Sequence, residues 1–225
     1  MDLLEGIMTT RAMRHFTSQP VAEADIETCL RAAVQGPSGG NIQPWQWLVV
    51  RDPDLRARIA ALYRRSYDRY EAALLAGLPP FRTPEDEASF HRTAAASRHL
   101  AEHLREVPVL VLVLMPDVSM TLHDDDGDLD VGTPYASVYP AAQNLMLAAR
   151  SLGIGTAMTT VYRIHHDELR ALCAIPDRYQ IVALVPMGYP EGRFGVARRR
   201  AAETVTHWDR FGAKRPFGPP PSPAP

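Results

Sequence analysis

Apolar positions along the chain fall into two spacings, one helical and one continuous, and these outline the elements. Over residues 2–10, Leu4, Ile7 and Met8 share one helical face, and Asp2 stands where it can cap the first turn. A second helix is predicted over 21–35. Ile26, Leu30, Ala33 and Val34 lie on one side of it, and Glu23 and Asp25 sit where the helix dipole favours negative charge. Gly36-Pro37-Ser38-Gly39-Gly40 ends that helix in an irregular loop, and 45–50 reads as a strand. Residues 54–76 predict an amphipathic helix carrying several arginines and tyrosines, broken by Leu78-Pro79-Pro80. Residues 83–105 predict a helix pair or a mobile helical excursion.

The stretch 107–115 is unbroken and rich in valine and leucine, as expected of a strand covered on both faces. Residues 123–130 read as an acidic turn. The clearest helix is predicted over 134–152, where Val138, Ala142, Leu145, Ala149 and Leu152 keep helical spacing and Gly153 is placed to end it with a left-handed cap. A short strand or extended loop over 155–160, a short helix over 166–172 and a strand over 179–187 follow. Helices and strands mix without strict alternation, which predicts an α+β layer architecture rather than a doubly wound sheet. One domain over 1–211 is expected, with 63–105 as a helical excursion or lid. The tail over 212–225 is largely proline, glycine and small residues and cannot pack as an element by itself.

Composition narrows the function. The formal net charge of −2 and the absence of a basic face argue against a nucleic-acid partner. The longest apolar run, 107–116, is half of what a membrane-spanning helix needs, so no membrane association is expected. Residues 1–5 lack the basic start of a secretory segment. The two cysteines, Cys29 and Cys173, are too few and too far apart for a disulfide framework or a zinc site, and read as buried reduced thiols. Together these features lead us to expect a cytoplasmic protein.

Four clusters could carry chemistry. Arg11 and Arg14, three apart and just past a helix, form a compact positive group. Arginine suits phosphate because its planar fork donates paired hydrogen bonds, although such pairs also occur as solvated residues at helix ends. The loop 36–45 combines glycines, which let backbone approach a planar ligand, with the non-titrating polar groups of Ser38, Asn41 and Gln43. That suits a ligand with carbonyl and ring-nitrogen edges, such as a flavin, and equally a polar helix-to-strand loop. Residues 153–160 could offer backbone amides to a ring or simply begin a strand. Arg198-Arg199-Arg200 could complete a phosphate site or keep an arm soluble.

Other chemistries are weakly supported. The acidic run 124–128 lacks the glutamate that a calcium loop places at its twelfth position, so no metal site is expected. His165-His166 reads as a helix start, and neither a G-x-S-x-G nor a G-x-G-x-x-G pattern is present.

Taken together, these clusters resemble the nitroreductase family of flavoproteins. The family's R-R-S-x-R-x-F opening corresponds to Thr10-Arg11-Ala12-Met13-Arg14-His15-Phe16, and its P-S-x-x-N-x-Q-P-W loop is matched in full by residues 37–45. Ala141-Ala142-Gln143-Asn144-Leu145 resembles its central interface helix, Met187-Gly188-Tyr189-Pro190 its last strand and turn, and Arg199-Arg200-Ala201-Ala202-Glu203 its R-K-P-L-E segment. The likeness runs in order from about Leu4 to Phe211.

The resemblance implies a nitroreductase-like fold with a central, mostly antiparallel sheet flanked by helices. It also implies a homodimer with exchanged C-terminal arms and FMN held between subunits. The implied cofactor-binding set is Arg11, Ala12, Arg14 and Arg199 at the phosphate and ribityl end, Pro37, Ser38, Gly39 and Asn41 from the other subunit, and Met158, Thr159 and Thr160 near the ring's N5 and pyrimidine edges. It names no protein residue as catalytic, since the flavin N5 carries the chemistry. NADH or NADPH donates electrons, and a nitroaromatic, quinone or similar small acceptor takes them in a ping-pong cycle. An FMN-dependent dehydrogenase or reductive dehalogenase acting on a specific metabolite, or a non-catalytic flavin-binding protein, would use the same fold. The chain departs from the family at Ala12, where the family serine's hydroxyl is lost, and at Ala201-Ala202, where the family has proline and leucine.

Overall fold

A computed structural model describes residues 1–118 and 121–218. Part of the predicted proline-rich tail therefore lies outside the described residues. The core is a four-stranded sheet in the order β1-β2-β6-β5, built from Gln46–Val50 (β1), Val109–Pro116 (β2), Tyr179–Gly188 (β6) and Gly155–Thr156 (β5). All three pairings are antiparallel, with Trp47 opposite Val113 and Val111 opposite Val185. The class is α+β, as the element pattern predicts.

Strand β2 shows why an unbroken apolar run belongs at the centre. Its alternate side chains enter two separate cores. Val109, Val111, Val113 and Met115 pack with α2 (Glu23–Ala33) and α5 (Tyr135–Ser151). Leu110, Leu112 and Leu114 pack with α3 (Pro53–Ala76), the end of α4 (Pro84–His103) and Leu169 of α6 (His166–Leu172). With both faces covered there is no polar face to alternate. At α5, Val138, Ala142, Leu145 and Ala149 are buried as spaced, while Leu152 is partly exposed beyond the helix end and Gly153 takes the left-handed cap (φ 75°). Helix α1 (Leu3–Thr9) begins on Asp2, whose carboxylate accepts from the N–H groups of Leu4 and Glu5. Most of its apolar face is exposed.

Several local expectations change. Residues 83–105 are not a helix pair: one continuous helix, α4, runs to a 3₁₀ turn over Leu104–Glu106. Thr83 caps it, and Leu100, Ala101 and Leu104 bury its far end. The acidic turn at 123–130 is a β-hairpin, Thr121–Asp124 (β3) with Gly127–Asp130 (β4). Both its faces are exposed, so no hydrophobic alternation announces it. It closes through a positive-φ Gly127 and an Asp124 carboxylate that accepts from the N–H of Asp126. Val34 is exposed at the cap of α2. Of the tyrosines on α3, Tyr63 and Tyr67 are buried in the core with Leu110 and Leu112, whereas Tyr70 is exposed. Cys29 is buried and Cys173 half-buried. Both thiols are free, and burial pushes each up to about 11, which keeps them protonated and unreactive. A short helix, α7 (Ala202–Val205), follows the last sheet strand. Among the described residues no helix is long and apolar enough to cross a membrane.

Candidate functional site

The N-terminal segment leaves α1 at Thr10 and runs extended along the sheet edge. The Met13 N–H donates to the Thr156 carbonyl at 2.9 Å, and the Thr17 N–H to that of Tyr189 at 2.8 Å. Met13 is buried and pins the segment, so its neighbours Arg11, Ala12 and Arg14 face away from the core. After β6 the chain turns back beside this segment, the Glu191 N–H donating to the His15 carbonyl at 3.2 Å. Arg11 Nη2 donates to the Arg193 carbonyl at 2.8 Å. Residues from the two ends of the chain thereby meet.

The result is a cleft of about 760 Å³ whose walls carry Arg11, Ala12, Arg14, Arg198 and Arg199, with Glu191 as its carboxylate. Helix α4 forms another wall through Ser89, Arg92 and Thr93. The side chains of Arg14, Arg92 and Arg198 make no hydrogen bond or ion pair with a described residue. Five arginines and one glutamate line the cleft, and the forked donors of arginine suit a phosphomonoester. The volume lies within the range of small-molecule pockets. The phosphate end of FMN fits this donor set. Ala12 contributes no hydroxyl there, as its side chain requires.

The loop expected to approach a flavin ring is ordered by its own polar groups. Ser38 Oγ accepts from the Gln43 N–H at 2.8 Å, and Gln43 Nε2 donates to Asn41 Oδ1 at 3.1 Å. The Gly39 N–H donates to Oγ of buried Ser137 on α5 at 3.3 Å. Asn41 and Gln43 hold positive φ, 54° and 48°, as does Gly40 within the 3₁₀ turn Gly39–Asn41. Such backbone costs energy in non-glycine residues and persists only where surroundings enforce it. Pro37, Ser38, Gly39 and Asn41 do not line the arginine cleft of their own chain.

Met158, Thr159 and Thr160 likewise lie off the cleft, past β5. Thr159 pairs with Leu184 through its backbone, and its hydroxyl meets Tyr63 Oη at 3.0 Å. That hydroxyl pair ties α3 to the segment after β5, and either oxygen can donate. Burial raises the Tyr63 pKa, with Arg14 as a nearby opposing charge, so the phenol stays neutral. Met158 and Thr160 are exposed.

Beside the cleft, three imidazoles stack. His15 and His99 are 3.7 Å apart between ring centres, and His99 and His103 4.3 Å. Burial first, then His15 and His103, holds His99 below the usual histidine range. Ser89, Arg92, Thr93 and this stack were not singled out from sequence. The available signal was Ser89, Arg92, Thr93 and Ala96 at helical spacing, which any solvated helix face would also give. Among the described residues no three acidic, histidine or cysteine side chains are placed to hold a metal ion.

Comparison with known proteins bears on the family and the fold. The Nitroreductase family matches residues 7–189. The chain is 26% identical over 214 residues to a nitrobenzene nitroreductase from Ectopseudomonas oleovorans, covering 89% of this chain and 94% of that one. Among solved structures, an iodotyrosine deiodinase bound to FMN and 3-iodo-L-tyrosine aligns with a TM-score of 0.72 at 22% identity, covering 93% of this chain and 100% of that one. An FMN- and NADPH-dependent nitroreductase derived from sphigopyxis sp. strain HMH aligns at 0.63 and 19% identity, covering 94% and 100%. The two structures share the fold with this chain.

Proposed function

The chain belongs to the nitroreductase family of oxidoreductases, and from that premise we propose that it is an FMN enzyme that uses NADH or NADPH to reduce a nitroaromatic, quinone or similar small acceptor by a ping-pong mechanism. The observation that carries this reading is the meeting of Arg11 and Arg14 with Arg198 and Arg199 across the whole length of the chain. When bound, FMN supplies reversible redox chemistry at its ring. The residues of this chain bind and orient it. Arg11, Arg14 and Arg199 hold the phosphate and ribityl end beside Ala12. Met158, Thr159 and Thr160 border one edge of the ring, with Thr159 held by Tyr63. Pro37, Ser38, Gly39 and Asn41 reach the ring from a second copy, which accounts for their separation from the cleft of their own chain.

A homodimer follows from this reading. Leu3, Leu4, Ile7 and Met8 of α1 are exposed, and an open, mainly apolar groove of about 430 Å³ runs between α1, α2 and α5. Val205, Trp208 and Phe211 on the C-terminal arm are also exposed, Phe211 by 94%. An arm passed onto a neighbour would cover them. We assign catalysis to one domain over 1–211 with 212–225 as a tail, in the cytoplasm, where the free thiols suit a reducing compartment.

The test is steady-state oxidation of NADH and NADPH by the FMN-loaded protein with nitroaromatic and quinone acceptors. Parallel double-reciprocal lines are expected. Intersecting lines, or no nucleotide oxidation with any acceptor, would contradict the proposal. The deiodinase likeness favours one second reading, reductive dehalogenation of a specific metabolite. It predicts halide release from a halogenated aromatic by the reduced holoprotein, with nitroaromatics turned over poorly.

A further inference from the structure

We propose that helix α4 is a cofactor-binding element, with Ser89 and Arg92 supplying the contacts to the FMN phosphate that Ala12 cannot make. This rests on the FMN reading above. Both residues line the same cleft as Arg11, Arg14 and Arg199. They are three apart on α4 and so share a face.

Arg92, unlike Arg58 and Arg69, which also lack an ion pair among the described residues, lines the arginine cleft, while other arginines of the α3–α4 pair are committed. Arg98 is bound to Glu71 at 2.7 Å, Arg64 to Glu102 at 2.9 Å, and Arg65 to Glu168. Arg92 has no partner among the described residues and lines the cleft. The Ser89 hydroxyl is likewise uncommitted. Thr93, one residue further, is already spent: its hydroxyl donates to the Ser89 carbonyl at 2.9 Å. It therefore offers no proton to an anion, and the inference leaves it out.

Placement of α4 is firm. Tyr67 Oη donates to the Ala94 carbonyl at 3.3 Å, Arg98 pairs with Glu71, and Leu100 and Leu104 bury the end of the helix. Arg92 therefore reaches the cleft from a fixed backbone, which lowers the entropy lost on binding. A phosphomonoester carries roughly −1.5 to −2 charge at neutral pH and three acceptor oxygens. Arg11, Arg14 and Arg199 reach it from the sheet edge and the C-terminal segment. Ser89 and Arg92 approach from the helix wall, with a hydroxyl in place of the one missing at Ala12.

Apoprotein is titrated with FMN and with riboflavin, which lacks the phosphate, following flavin fluorescence. Wild type is compared with Arg92→Ala, Ser89→Ala, Arg11→Ala, the double variant Ala12→Ser with Arg92→Ala, and exposed Arg69→Ala as control. Losing a charge-assisted hydrogen bond predicts that Arg92→Ala weakens FMN about tenfold or more, with riboflavin binding within about twofold of wild type. Ser89→Ala should weaken FMN less, Arg69→Ala should change nothing, and Ala12→Ser should recover part of the Arg92→Ala loss. Wild-type FMN affinity in Arg92→Ala, alongside a loss in Arg11→Ala, would overturn the role of α4 and leave the FMN reading intact. Equal weakening of FMN and riboflavin would also overturn it, as a packing effect. A wild-type protein that binds neither flavin would overturn the FMN reading itself.

Discussion

Gly36→Ala should damage both the fold and the candidate site, because the structure leaves no room for one methyl group. Gly36 follows α2 and lies against α5. A Cβ placed there would stand 2.9 Å from the backbone N and Cα of Ala141 and 3.0 Å from its Cβ. Ordinary carbon contacts lie near 3.5–4.0 Å, so the two segments must separate by about 0.5–1 Å. Ala141 cannot yield easily. It is fully buried in mid-helix, in the core that holds Val138, Ala142 and Leu145. Overpacking of this kind costs about 1–3 kcal/mol. For a chain of this size each kcal/mol shifts Tm by roughly 2–4 °C, so a loss of about 2–12 °C is expected. The strain falls next to the loop that begins at Pro37, whose hydrogen bond to α5, from the Gly39 N–H to Ser137 Oγ, is already long at 3.3 Å. FMN affinity should therefore fall as well. Thermal melts of apo- and holoprotein with a fluorescence titration provide the assay. Gly39→Ala is the stability control, since nothing lies within 4 Å of its added methyl and its φ is not positive. Gly36→Ala with wild-type Tm and wild-type FMN affinity would refute the packing argument.

Three further outcomes are expected. Arg14→Ala should weaken FMN about tenfold or more, whereas Cys29→Ala, away from the cleft, should alter only stability; equal FMN affinities in the two variants would contradict the assignment. His99 makes stability pH-dependent. It faces His15 and Arg14 of the N-terminal segment, His103 and Glu102 of its own helix, Glu106 beyond it, and Glu191 after β6. Its folded pKa lies below its unfolded value near 6.5, so the unfolded chain binds more protons between the two, and this stability is lost as pH falls through that window. Between pH 7 and 5.5, wild-type Tm should fall further than that of His99→Asn, and parallel curves would count against the stack's role. The holoprotein should sediment as a dimer across a wide dilution range, because obligate interfaces bury about 2,000–5,000 Å²; a stable monomer that keeps FMN would exclude a shared site.

Local chemistry made much of this legible in the sequence. The 107–115 run, the spacing within α5, the Asp2 cap and the 37–45 motif each announce themselves over a few residues, and each has its structural counterpart. Non-local features do not announce themselves. That Arg11 and Arg199 share one cleft follows only from the pairing of the N-terminal segment with Thr156 and Tyr189. The polar face of α4 reads like any solvated helix surface until its neighbour is known. The hairpin at β3 and β4 buries neither face, so strand alternation is absent, and its acidic residues suggest only a turn. Val34 keeps helical spacing with buried residues but falls at the cap, where the chain has already left the core.

The central claim is that this fold holds FMN, and the most direct measurement is the visible spectrum of the purified protein followed by chromatography of its heat-released cofactor. The account predicts a yellow protein whose released flavin co-elutes with FMN. A correctly folded preparation that is colourless and takes up no FMN, or one that releases FAD, would contradict it.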